Sequence, residues 1–189
     1  MMLDRCPKCS PDTGIRIMPP EETLKKVLPL LKTAGLEEPE DITGKDNVGI
    51  PVFSVERDET ALGKPKFYNG KGATREQALA SAVMESLERY SAEQRDSDEI
   101  VYGTYAQACD VMMTVDPRDL ILPLPVQDRY MDETIAWTEG FEMFRGCPIW
   151  VPACAVFYPY YPDGDYQLFK FHTNGIASGN TMEEAILHA

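Results

Sequence analysis

From Thr74 to Ser91 apolar residues recur at three- and four-residue spacing, which confines this stretch to an amphipathic helix. At about 100° per residue, Leu79, Ala82, Val83, Leu87 and Tyr90 share one broad face, with Ala80 and Met84 at its edge. The narrower opposite face carries Thr74, Gln77, Ser81, Glu85 and Glu88, with Arg89 beside them. Thr74 followed three residues later by Gln77 forms a capping box, so the start of the helix is specified as well as its faces. Energy alone does not assign the acidic pair, because like charges one turn apart cost an exposed helix only about 0.2–0.5 kcal/mol. Two readings stand. The pair is a solvated face, or it is a carboxylate pair suited to magnesium, which takes one or two carboxylates together with substrate phosphates.

The flanking segments predict a mixed α and β chain. Pro19-Pro20-Glu21-Glu22-Thr23 opens a first helix, carried on by Leu24, Val27, Leu28, Leu31 and Ala34 and capped at Gly35, with Pro29 expected to kink or shorten it. Residues 50–55 and 66–68 read as two strands, and a weaker helix covers Tyr105 to Met112. A strand-rich tract runs from Ile135 to Phe144 and from Pro148 to Tyr158, turning at Arg145-Gly146. Pro159 to Gln167 is a loop, and Leu168 to Phe171 is expected to be one more short strand before Thr173-Asn174-Gly175. No low-complexity linker divides the chain, so a single mixed domain is expected.

Charge narrows the partners. A formal net charge of −13 over 189 residues argues against nucleic acid, since phosphate contacts need clustered Lys and Arg. It remains compatible with a nucleotide if magnesium or a few local cations offset the repulsion. No window reaches the roughly 20 apolar residues of a membrane span. The start, MMLDRCPKC, is charged where a secretory signal is apolar, so a cytoplasmic protein is expected. Its five cysteines then stay as thiols. Cys6 and Cys9 present a Cys-x-x-Cys pair, but structural zinc wants four ligands. The remaining candidates, Cys109, Cys147, Cys154, His172 and His188, show no paired spacing, so loose thiols are the favoured reading.

The tract Gly72 to Ala82 is echoed by Gly179 to Ala189. Gly72, Thr74, Glu76, Ala78 and Ala82 recur as Gly179, Thr181, Glu183, Ala185 and Ala189, with Gln77/Glu184 and Leu79/Ile186 as near matches. Convergent capping explains part of this. Asn-Gly and Ser-Gly-Asn ahead of the second helix start also form the kind of loop that turns backbone N–H groups toward an anion. Counterparts of Glu85 and Glu88 would fall beyond Ala189, so the chain reads as the first part of a longer domain.

Taken together, Gly70-Lys71-Gly72-Ala73-Thr74, the run Ser81-x-x-x-Glu85-x-x-Glu88-Arg89-Tyr90, and Thr173-Asn174-Gly175 through Gly179-Asn180-Thr181-x-x-Glu184-Ala185 resemble the YcaO family of ATP-dependent peptide-backbone modifying enzymes. The resemblance spans residues 16–189, the N-terminal half of the family's domain, and leaves residues 1–15 with the Cys-x-x-Cys pair outside it. The tract from Pro20-Glu21-Glu22-Thr23 to Ile50-Pro51-Val52-Phe53 further resembles an archaeal branch linked to thioamidation of a glycine in methyl-coenzyme M reductase. It implies an α+β fold whose mixed and antiparallel sheets and helices cradle ATP with Mg2+ without a P-loop.

The resemblance further implies ATP contacts from Arg16, Thr23, Lys71, Ser81, Glu85, Glu88, Arg89, Asn180 and Glu184. It assigns the metal to Glu85, Glu88 and Glu184, with Glu85 and Glu88 as the catalytic pair. A sulfur source or substrate side chain attacks a backbone amide, ATP phosphorylates the oxyanion, and phosphate leaves as the thioamide or azoline forms. The carboxylates neutralise and align the phosphates. A peptide or protein substrate, a sulfur-delivery partner and a homodimer are expected on the same ground. Azoline-forming cyclodehydration and a non-catalytic nucleotide-binding, peptide-docking module are the alternatives. At single residues, Glu184 either serves the nucleotide or closes the capping box on Thr181; Arg89 either touches ATP or balances the acidic pair; Lys71 either meets a phosphate or is a solvated turn residue.

Overall fold

The computed structural model describes residues 3–9, 16–58, 63–124, 126 and 129–189. Close contacts gather them into two compact units, Ala92–Thr173 and the described residues up to Ser91 together with Asn174–Ala189. The chain therefore leaves the second unit after Ser91 and rejoins it at Asn174.

In that second unit, helix α1 (Pro20–Val27) stops early. Pro29 has no N–H to continue the ladder, and two one-turn 3-10 pieces, Leu28–Leu30 and Lys32–Ala34, carry the chain to Gly35. Strands β1 (Glu40–Asp41), β2 (Val52–Arg57) and β3 (Lys66–Lys71) form an antiparallel sheet in that order, with Phe53 opposite Gly70 and Val55 opposite Tyr68. Helix α2 (Arg75–Ser91) follows. Leu24, Leu31, Phe53, Val55, Ala78, Ala82 and Val83 form the core between these elements.

The face that α2 turns to the core is the predicted one, but its deepest line is shifted toward small residues. Ala78, Ala82, Val83 and Ser86 are buried, whereas Leu79, Leu87 and Tyr90 are only partly buried around them. The reason is a close backbone approach. A Cβ on Gly70 of β3 would run into the backbone of Ala78 and Ala82, so small residues meet where strand and helix are nearest. The predicted cap is present, with the Gln77 amide donating to Thr74 Oγ1 at 3.2 Å and Gln77 Oε1 accepting from the Ala73 and Thr74 amides.

The other unit is built on β4 (Val101–Gly103), β5 (Ile135–Glu142) and β6 (Cys147–Pro152), antiparallel in that order. Helix α3 (Tyr105–Val111) opens on a Thr104–Gln107 capping box. Tyr130, Ile135, Trp137 and Leu168 are fully enclosed in its core, and Trp137 Nε1 donates to the Gly103 carbonyl at 3.0 Å. Two expectations fail here. The strand predicted to reach Tyr158 ends at Pro152, where a 3-10 turn over Ala153–Ala155 begins. Leu168 to Phe171 is not a strand, although Leu168 and Phe169 are buried. The edge of β6 is already used, because Trp150 exchanges hydrogen bonds with Met113 and Val115, so the later apolar residues pack without pairing. No helix among the described residues is long and apolar enough to cross a membrane.

Candidate nucleotide site

The polar face of α2 forms one wall of a cleft of about 700 Å³. Gln77, Ser81, Glu85, Glu88 and Arg89 face it, as do Ala80 and Met84. Arg16 and Met18 enter from the segment before α1, Pro20 and Thr23 from α1, Lys71 and Gly72 from the end of β3, and Ser178 and Asn180 from the returning segment. Of the nine residues expected at the nucleotide, eight line this cleft, and the ninth, Glu184, does not. The motifs far apart in sequence are therefore brought to one place.

Glu85 and Glu88 are held by Arg89. Its guanidinium lies 3.2 Å from Glu88 and 3.8 Å from Glu85, with the Glu88 side chain 14% exposed and that of Glu85 41%. Arg89 thus balances the acidic pair and also lines the cleft. Lys71 is exposed and makes no ion pair among the described residues, so its ammonium is available to an anion.

Helix α4 (Met182–His188) repeats the start of α2 in three dimensions. Thr181 Oγ1 accepts from the Glu184 amide at 3.3 Å, as Thr74 does from Gln77. A Cβ on Gly179 would strike Glu184 and Ala185, just as one on Gly72 would strike Gln77 and Ala78. The side chains then part. Gln77 turns back to its own cap, whereas the Glu184 carboxylate does not close a box. It accepts from Arg16 Nη1 at 2.8 Å, from the Ile17 amide at 3.1 Å and from Asn180 Nδ2 at 3.2 and 3.3 Å. Thr23 Oγ1 donates to Asn180 Oδ1 at 2.9 Å, extending the chain of contacts to α1.

Glu184 is fully enclosed while its partner Arg16 is 49% exposed. Burial pushes its carboxyl up, but the Arg16 guanidinium and the Ile17 and Asn180 amides outweigh this and leave it below its ordinary range. Both of its oxygens are thus engaged, and among the described residues no three His, Cys, Asp or Glu side chains form a metal-holding group. The expected trio of Glu85, Glu88 and Glu184 is therefore not gathered. Cys6 is not gathered with such ligands either. Its Sγ donates to Glu183 Oε2 at 3.6 Å, and the Cys9 amide donates to the Arg16 carbonyl at 2.9 Å. Residues 1, 2 and 10–15 of the N-terminal segment lie outside the described residues.

Two neighbours of Arg16 lie outside the expected set of site residues. The Ile17 amide has no side-chain signature. His188, weighed from the sequence only as a further ligand for zinc, stands four residues after Glu184 and so on the same helix face, which is the signal that could have found it.

The family model of YcaO, described as a cyclodehydratase that binds ATP and Mg2+, matches residues 69–189. The chain belongs to the YcaO family. A protein of Methanothermobacter thermautotrophicus is 43% identical over 170 residues, covering 89% of this chain and 43% of the relative. Among solved structures, YcaO from Methanopyrus kandleri bound with AMPPCP and Mg2+ is 31% identical, with a TM-score of 0.69 over 93% of this chain and 42% of that one. A heterocyclase in complex with substrate and cofactor has a TM-score of 0.79 over 99% of this chain and 28% of its own; at 23% identity this likeness concerns the fold. The chain spans about two fifths of the length of the curated relatives it matches. The family accounts for the α+β fold and makes ATP and Mg2+ its ligands.

The donor set of the cleft fits that ligand pair. Arg16, Lys71 and Arg89 offer cations for phosphate oxygens, Ser81 and Asn180 offer neutral hydrogen-bonding groups, and Glu85 with Glu88 offers the one or two carboxylates that Mg2+ takes beside phosphates.

Proposed function

We propose that this YcaO chain carries the first part of an ATP- and Mg2+-dependent enzyme that activates a peptide backbone amide and converts it to a thioamide, with a glycine of methyl-coenzyme M reductase as the substrate site. The observation that carries the reading is the convergence of Glu85, Glu88, Lys71, Arg16 and Asn180 on one cleft from four separate segments. Support for the thioamide comes from the tract between Pro20 and Phe53, which resembles that of the archaeal branch.

Glu85 and Glu88 would hold the metal, and Arg16, Lys71 and Arg89 would fix the phosphates. ATP with Mg2+ supplies the phosphoryl group that turns an amide oxygen into a leaving group. Arg89 offsets the repulsion of the two carboxylates that share one wall. Thr23 orients Asn180 through its amide oxygen, and Glu184 holds the amide nitrogen, which fixes the Asn180 side chain at the cleft edge. Glu184 acts behind the wall, anchoring Arg16 and Asn180.

Calorimetric titration of the full-length protein with AMPPCP in excess Mg2+ tests the site. Glu85→Gln and Glu88→Gln are each expected to weaken binding on the order of tenfold or more. Unchanged affinity in both variants would remove the assigned role. Mass analysis of the glycine-containing peptide, incubated with ATP and sulfide, tests the chemistry. Exchange of oxygen for sulfur is expected, whereas loss of water alone would point to azoline formation.

A further inference from the structure

We infer that His188 is a positioning residue for Arg16; this rests on reading the cleft as the nucleotide site. Arg16 Nη1 lies 2.8 Å from Glu184 Oε1 and 2.8 Å from His188 Nδ1. Its two hydrogens are therefore both used, one on each partner, and the plane of the guanidinium is set by two points. Nε and Nη2 remain as the donors that Arg16 can direct into the cleft it lines. A carboxylate alone would leave Arg16 free to rotate about a single contact. The imidazole removes that freedom.

The same Nδ1 also lies 3.3 Å from the Ser178 carbonyl oxygen. Arg16 can only donate, so Nδ1 accepts from it, with the imidazole proton on Nε2. The Ser178 carbonyl can only accept, so it makes no hydrogen bond with a bare Nδ1 and does not compete with Arg16 for it. Arg16 and Ser178 both line the cleft, so the clamp is felt at its wall.

The test is the affinity of the full-length protein for AMPPCP with Mg2+, compared at one pH for wild type, His188→Asn and His188→Leu. The asparagine oxygen can accept from Arg16, whereas leucine cannot. His188→Asn is expected to keep the wild-type affinity, and His188→Leu to bind about tenfold more weakly. A His188→Leu that binds as tightly as wild type, or a His188→Asn that binds as weakly as His188→Leu, overturns the inference. Glu85→Gln in the same titration separates the two levels. Weakened binding there with unaffected His188 variants sinks only the role of His188, while unaffected binding there removes the site and this inference with it.

Discussion

Glu184 shows what a single enclosed carboxylate does in this chain. It has no exposed surface, and it accepts hydrogen bonds from a guanidinium, a backbone amide and a side-chain amide. Its folded-state pKa lies below the ordinary 4.5 of a glutamate, so its contribution to stability is present above that value and is lost as pH falls through the depressed one. Glu184→Gln keeps one acceptor but loses the charge, and is expected to cost about 1–2 kcal/mol near neutral pH, discounted because Arg16 stays half in water. Urea unfolding of wild type and variant checks this: the gap between them should narrow as pH falls below the ordinary carboxylate range. A gap that persists unchanged into acid would mean that charge is not what holds Arg16 and the Ile17 amide. The role of this residue was not legible from spacing alone. A glutamate three residues after a threonine at a helix start has the same signature whether it closes its own cap or reaches a partner 168 residues away in sequence.

At the scale of elements, the contact between β3 and α2 sets the site, because it aims the opposite face of α2 into the cleft. Gly70 leaves no room for a Cβ between itself and the backbone of Ala78 and Ala82. Gly70→Ala is therefore expected to push the helix off the strand at a cost of about 1–3 kcal/mol or more, seen as a lower urea midpoint, and to weaken nucleotide binding as the α2 residues shift. A variant as stable as wild type would mean that helix and strand separate at little cost. The periodicity of α2, its cap, both strands of the β2–β3 pair and the shortening of α1 at Pro29 were all readable, since each depends on residues near in sequence. Which residues lie deepest on the core face of α2 was not readable, for a physical reason. Hydrophobicity favours Leu79 and Leu87, but the closest backbone approach selects Ala78, Ala82 and Ser86, and that approach depends on a glycine in another element. Leu168 to Phe171 failed likewise, because whether an apolar run pairs as a strand depends on which sheet edges are already taken by Met113 and Val115.

Over the whole chain the charge is −13, yet the cleft gathers Arg16, Lys71 and Arg89 beside Glu85 and Glu88. A nucleotide triphosphate therefore meets a repulsive field at long range and favourable cations only at contact. Salt acts differently on the two. The Debye length falls from about 30 Å at 0.01 M to about 10 Å at 0.1 M ionic strength, which removes the distant repulsion while leaving groups within the cleft close enough to interact. In the presence of EDTA, the association rate constant of AMPPCP, measured by stopped flow, is accordingly expected to rise over that range of salt. With Mg2+ in excess the ligand carries less negative charge, so the rise should be shallower and binding tighter. If the rate instead falls with added salt in EDTA, the local cations govern the approach as well as the contact. The task of bringing triphosphate charge up to an acidic protein would then pass from Mg2+ to Arg16, Lys71 and Arg89.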